Sequence, residues 1–212
     1  MKKNFLLIAL LLVTTFSFSQ VKIGFNFSPG LAFSNLTYEE NLPAGQTYNA
    51  TGVGLRFIAG PEVSFYLGEN AAFTTGAWYA IKRATINSTN SLGQSRDSIF
   101  NLQYVQLPAT FKLFTNEVAT DMKVYFQLGG SLDIKIAEKL KGYKAKLPNS
   151  QFQPVDASLI LGSGVEYQLG ETTYLLVGLR YTRGLINSIK GSLKDQINVK
   201  NSLVSLDLGI RF

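Results

Sequence analysis

Histidine and cysteine are both missing from this 212-residue chain. Their absence removes Ser-His-Asp catalysis, thiol nucleophiles and zinc sites built on imidazole or thiolate. It also removes disulfides and a lipid-modified cysteine as an anchor. Lipases and proteases that depend on a histidine go with them. A Ser-Lys or paired-carboxylate site stays formally open, but no spacing in the sequence argues for one. No catalytic, cofactor-binding or metal-ligating residue is therefore assigned, no cofactor is expected, and the chain reads as non-enzymatic. Long apolar runs are missing too. The longest, Phe5–Val13, falls far short of the roughly 20 residues that cross a bilayer as a helix. Beyond residue 20, apolar residues do not recur at i, i+3, i+4 and i+7, so amphipathic helices do not organise the chain.

The first residues carry a different signal. Lys2 and Lys3 precede the apolar run, and Ser17-Phe18-Ser19 places small residues where a signal peptidase reads them. A secretory signal peptide over residues 1–19 is expected, cleaved between Ser19 and Gln20 and leaving one exported domain over 20–212. The net charge of +6 would ordinarily raise nucleic acid as a partner. An exported protein rarely meets it, and the charge placement below puts many basic groups where no nucleic acid reaches, so no nucleic-acid partner is expected.

What the chain does have is a period of two. Eight segments show it: Val21–Ser34, Val53–Leu67, Ala71–Ile86, Ser98–Phe114, Met122–Ile136, Val155–Leu169, Thr173–Gly184 and Ser202–Phe212. In the last, Val204, Leu206, Leu208, Ile210 and Phe212 share one face, and Ser205, Asp207, Gly209 and Arg211 the other. Met122–Ile136 sets Val124, Phe126, Leu128, Leu132 and Ile134 against Lys123, Tyr125, Gln127, Ser131, Asp133 and Lys135. Alternation marks strands with one apolar face.

Two architectures produce such strands. A soluble, lipocalin-like barrel turns the apolar face inward, whereas a membrane barrel turns it to lipid and its small and charged residues inward. The connections discriminate. Gly68–Asn70, Thr115–Asp121 and Gly170–Thr172 are short, and Asn35–Gly52, Asn87–Asp97, Ala137–Pro154 and Leu185–Asn201 are long and polar, in strict alternation. Short turns at one end and long loops at the other are the asymmetry of an outer-membrane barrel. Aromatics near the strand ends (Phe65, Phe73, Tyr167 and Phe212 at the turns, Phe33 and Tyr181 at the loops) fit two interfacial girdles. The last strand must then pair with the first, because an open sheet edge in lipid leaves backbone groups unsatisfied. Pro29, Pro61 and Pro108 fall inside paired segments and predict bulges or strand ends. Alternation also slips between Phe100 and Tyr104.

By the same alternation, Lys22, Arg56, Lys82, Lys112, Lys123, Lys135, Arg180 and Arg211 face the barrel interior with Glu62, Asp133, Asp156, Glu166 and Asp207. They read either as the lining of a selective pore or as ion pairs filling a lumen that eight strands leave just wide enough for side chains. The plug is favoured. In the third loop, Lys139, Lys141, Lys144 and Lys146 form a basic cluster, joined by Lys190, Lys194 and Lys200 of the fourth. The cluster reads as a solvated loop or as a rim for lipopolysaccharide phosphates or an acidic partner. "VSFYLGENAAFTTGAWY" (63–79) matches "VEYQLGETTYLLVGLRY" (165–181) at Val, Leu-Gly-Glu, Gly and Tyr, by a four-strand duplication or by convergence of tight hairpins.

Three stretches carry a family resemblance: the opening "VKIGFNFSPG", "LQYVQLPATFKLF" in the fourth segment, and the closing "LDLGIRF" with its terminal aromatic. Together they resemble the PorT-like family of bacterial outer-membrane β-barrels, over essentially the whole exported chain. The resemblance implies an outer-membrane location, and the family's namesake assists a protein-secretion apparatus. No residue here transfers that role. The expectation is an all-β, eight-stranded antiparallel up-and-down transmembrane barrel with both termini periplasmic. It would be a scaffold or partner-binding barrel surrounded by outer-membrane lipid and lipopolysaccharide, with an envelope or secretion-system protein as partner. A small channel or ligand-binding barrel is the second class, and a secreted soluble barrel the third.

Overall fold

The computed structural model describes residues 20–38, 47–49, 53–89, 95–140, 152–187 and 197–212. Ten strand segments follow in chain order: β1 (Val21–Tyr38), β2 (Thr47–Asn49), β3 (Gly54–Tyr66), β4 (Ala71–Gly76), β5 (Trp78–Thr89), β6 (Ser95–Ala119), β7 (Met122–Leu140), β8 (Val155–Gln168), β9 (Tyr174–Gly184) and β10 (Ile197–Arg211). β4 and β5 are halves of one barrel strand, and β2 is a short addition on the outer end of β5. Every pairing is antiparallel, and the ring of 8 strands closes where β1 pairs with β10 from Gly24↔Arg211 to Tyr38↔Ile197. Phe212 continues the seam by exchanging backbone hydrogen bonds with Ile23. Closure leaves no sheet edge in lipid, as the apolar surroundings demand.

Which face looks outward is decided by neighbouring residues. Phe126 is 56% exposed beside Tyr125 at 0%, and Leu206 is 43% exposed beside Asp207 at 2%. Val21, Ile23, Phe25, Leu55, Phe111, Leu128 and Leu179 join the same outward band. A soluble protein rarely exposes apolar patches beyond a few hundred Å², whereas this band girdles the cylinder. The secreted soluble reading fails on that observation. At the turn end, Phe73 packs against Phe65 (6.4 Å between ring centroids) and Phe111 (5.3 Å), part of the expected girdle.

The strands run further than alternation alone indicates. β6 extends to Ala119 and β7 begins at Met122, so the second short connection is Thr120-Asp121 rather than Thr115–Asp121. The added length carries two register shifts after Phe114. Lys139 lies exposed on β7, not in a loop, and Lys200 lies on β10. Lys141, Lys144, Lys146, Lys190 and Lys194 fall outside the described residues.

The prolines correct the expectation of bulges. Pro29, Pro61 and Pro108 all sit within strands and keep register with Phe57, Phe25 and Ser131. Their cost is local. Pro61 has no N–H to offer the facing Ala77, whose own N–H donates to the Pro61 carbonyl (3.2 Å), and there the ladder breaks between β4 and β5. The bulge near Gln103/Tyr104 does exist where alternation slips, but the extra residue belongs to β7. Leu102 and Tyr104 both point inward on an unbroken β6.

The two hairpins matched in sequence also match in register, Val63↔Thr75 against Val165↔Val177. Their turns close with equivalent hydrogen bonds, Leu67 N to Ala71 O and Leu169 N to Thr173 O. The correspondence extends to β1 and β7 ("VKIGFNF", "MKVYFQL") and to β6 and β10 ("VQLPATFKL", "VSLDLGIRF"), four ring positions apart each time. A four-strand duplication accounts for all four pairs, whereas convergence on tight turns accounts for the hairpin alone.

Tyr125 shows how large side chains fit the interior. Its ring lies over Gly164 and Gly178, paired glycines on β8 and β9. A Cβ on Gly178 would come within 2.5 Å of the Tyr125 hydroxyl and 2.5 Å of the Ser163 carbonyl. Gly178→Ala is expected to lower unfolding free energy by about 1–3 kcal/mol through overpacking, measured by urea titration in lipid vesicles.

Candidate functional site: the lumen and its two mouths

Inward positions on a closed ring bring together residues far apart in sequence. Nine of the thirteen charged residues assigned inward by alternation stand there in two clusters stacked along the axis. In the cluster nearer the turns, the Glu62 carboxylate accepts from Arg211 Nε (3.1 Å) and pairs with Lys112 Nζ (3.4 Å). Arg211 Nη1 donates to Glu166 (2.9 Å) and to the Tyr66 hydroxyl (3.0 Å). Slightly deeper, Asp207 Oδ1 accepts from Asn26 Nδ2 (2.6 Å) and Ser28 Oγ (2.8 Å) and forms an ion pair with Arg180 Nη2 at 2.6 Å, while Tyr125 OH approaches Oδ2 (3.4 Å). The Arg180 guanidinium lies 4.4 Å from the Trp78 ring centroid. Lys112, Arg180 and Arg211 thus face Glu62, Glu166 and Asp207, cation balancing carboxylate. Such balance is what makes buried charge tolerable.

In the cluster nearer the loops, Lys82 Nζ donates to Asp133 (2.6 Å), Asp156 (2.9 Å) and Ser158 (3.1 Å). Ser131 and Ser158 also donate to Asp133, and Gln106 Nε2 donates to Ser131. Further out, Lys135 pairs with Glu138 (2.9 Å) and donates to the Phe152 carbonyl (2.6 Å). Arg56 Nη2 reaches Asn101 (2.5 Å) on β6. Between these groups the lumen turns apolar, with Ile58, Leu102, Tyr104, Ile160 and Leu203 buried. Alternation misses this inner apolar patch, because an apolar residue on the lumen side looks like a slip of phase.

Beside the Lys82 cluster is a cavity of about 20 Å³ lined by Ala80, Gln106, Thr182 and Ser202, room for a water or two. The larger space, about 330 Å³, is at the turn end. There Lys22 and Lys123 stand at the mouth instead of inside the plug, with Tyr66 and Tyr174, neither of which alternation singled out.

Comparison with known proteins agrees with this geometry. The family model described as outer membrane protein beta-barrel domain matches residues 11–190. Among solved structures the chain is similar to the outer membrane protein OprG from Pseudomonas aeruginosa, at 12% identity and TM-score 0.50, covering 89% of this chain and 95% of that one. It is also similar to Neisserial surface protein A, at 15% identity and TM-score 0.48, covering 89% of this chain and 97% of that one. At such identities the OprG likeness is one of fold. No curated protein sequence matches. A closed eight-membered ring, an outward apolar band and a family match over most of the chain converge: the chain belongs to the outer membrane protein beta-barrel domain family and resides in the outer membrane.

Proposed function

We propose that this barrel is a non-enzymatic, non-conducting envelope scaffold of the PorT-like kind, which offers its loops or periplasmic rim to a protein partner in secretion or envelope maintenance. The observation that carries the reading is the lumen. Its charges are turned to one another in two stacked clusters, three cations against three carboxylates near the turns and Lys82 between Asp133 and Asp156 near the loops, rather than lined up along an open passage. A selective pore needs charges that meet ions, while a scaffold needs a rigid cylinder, and ion pairs closed among the lumen's own side chains favour the second. The PorT-like opening, central and closing stretches fall on β1, β6 and β10, the seam and the longest strand. Cleavage after Ser19 would leave Gln20 as the first residue, and its carbonyl accepts from Tyr66 N (3.0 Å).

Planar bilayers provide the test. Purified protein is expected to give no steady conductance above that of lipid alone. Steady ion-selective currents would move the protein into the channel class. Mild crosslinking in intact cells, followed by purification from membranes, is expected to recover an envelope protein in constant ratio to the barrel.

A further inference from the structure

The turn-end vestibule has a chemistry that the scaffold reading does not use. Its volume, about 330 Å³, lies in the range of small-molecule sites. Its floor includes Glu166 and Tyr66, both held by Arg211, and its rim is formed by the turn-end residues Gly68, Glu69 and Glu117. Lys22 projects into it from β1 and Lys123 from β7, four ring positions away and so on the opposite wall. The two lysines occupy matching places in the two halves of the barrel, "VKIGF" and "MKVYF".

Neither ammonium has a carboxylate at ion-pair distance among the described residues. Lys123 has Glu166 on β8 and Glu117 on β6 as register partners, but the Glu166 carboxylate is turned to Arg211 and Tyr66 and Glu117 is not at ion-pair distance from it. Glu69 and Glu117 stand exposed on the rim. Lys22 is instead held by aromatic faces, 3.4 Å from the centroid of Tyr174 and 4.6 Å from that of Tyr66. Cation–π contact positions an ammonium without neutralising it. Beneath the floor, the buried Arg211 Nη2 also lacks an acceptor. Both ammonium groups therefore face the space unneutralised, with Glu69 and Glu117 at the rim and Glu166 tied to Arg211 in the floor. An oxyanion entering the vestibule meets ammonium groups it need not first detach from an ion pair.

We propose that the vestibule binds the oxyanion of a small periplasmic solute, a carboxylate or a phosphate, between Lys22 and Lys123, with the body of the solute against Tyr66 and Tyr174. Gln20 and Gln168 line the same space and supply further donors.

The test uses the whole exported chain in lipid nanodiscs, titrated at constant ionic strength with succinate, inorganic phosphate and neutral succinamide while NMR signals of Lys22, Lys123 and Tyr174 are followed. Saturable shifts with succinate or phosphate, and none with succinamide, are expected; whichever anion binds more tightly identifies the source of the oxyanion. The Lys22→Gln/Lys123→Gln variant is expected to bind about ten- to a hundredfold more weakly. The Lys22→Arg/Lys123→Arg variant should restore most of that loss, which separates charge from folding. Lys200→Gln, at the far end of β10, should leave binding unchanged. Shifts that never saturate, that appear equally with succinamide, or that fall as much in Lys200→Gln overturn the proposal.

Discussion

Asp207→Leu is expected to destabilise the barrel by about 3–5 kcal/mol, the cost of stranding a buried cation. Asp207 is the carboxylate at ion-pair distance from Arg180, which is 1% exposed. The leucine cannot replace what Asn26, Ser28 and Tyr125 also give to that carboxylate. Changing both partners gives the opposite expectation. Arg180→Met with Asp207→Leu removes both charges, keeps apolar volume beside Trp78, and should recover most of the loss. Urea titration of the two single variants and the double variant in vesicles measures the coupling. If Asp207→Leu cost no more than a surface substitution, about 0.5 kcal/mol or less, the plug would not be a structural element.

The second large effect is on the opposite face. Leu208 sits in the outward band of β10, between Phe27 on β1 and Val177 on β9, both outward-facing. Leu208→Arg puts a guanidinium against acyl chains, at about 2–4 kcal/mol near the bilayer midplane. The same change at Phe212, on the interface, should cost only about 0–1 kcal/mol. A depth gradient of that kind is specific to lipid. A soluble barrel with its apolar face inward would lose most at both positions through cavity and charge burial.

How far the sequence is legible follows from what each signal depends on. Faces are local: alternation in Met122–Ile136 suffices to put Tyr125 and Asp133 inside and Phe126 outside, and the structure places them so. The alternation of short and long connections is read directly and gives the up-and-down order, while the bounds are not, since β6 runs on to Ala119 and β7 to Leu140. Partnership is not local. Glu62 serves both Lys112 and Arg211 because β3 lies between β1 and β4 while ring closure brings β10 round to β1. The stagger that sets those heights is written in no single segment. The vestibule is hidden for the same reason, since Lys22, Tyr66, Lys123 and Tyr174 meet only after closure. The prolines mislead because a missing N–H need not produce a bulge. A closed ring tolerates a single lost ladder bond while its neighbours hold register, as they do around Pro29.

The central claim is orientation, and the absence of cysteine makes it directly measurable. Single cysteines introduced along β10 from Leu203 to Leu208, and at Tyr125 and Phe126, accept an environment-sensitive label in membranes. Quenching by lipid-borne nitroxide is expected to alternate, strong at Val204, Leu206, Leu208 and Phe126 and weak at Leu203, Ser205, Asp207 and Tyr125. Quenching in the opposite phase, or in none, would contradict the lipid-facing assignment and everything inferred from a charged interior.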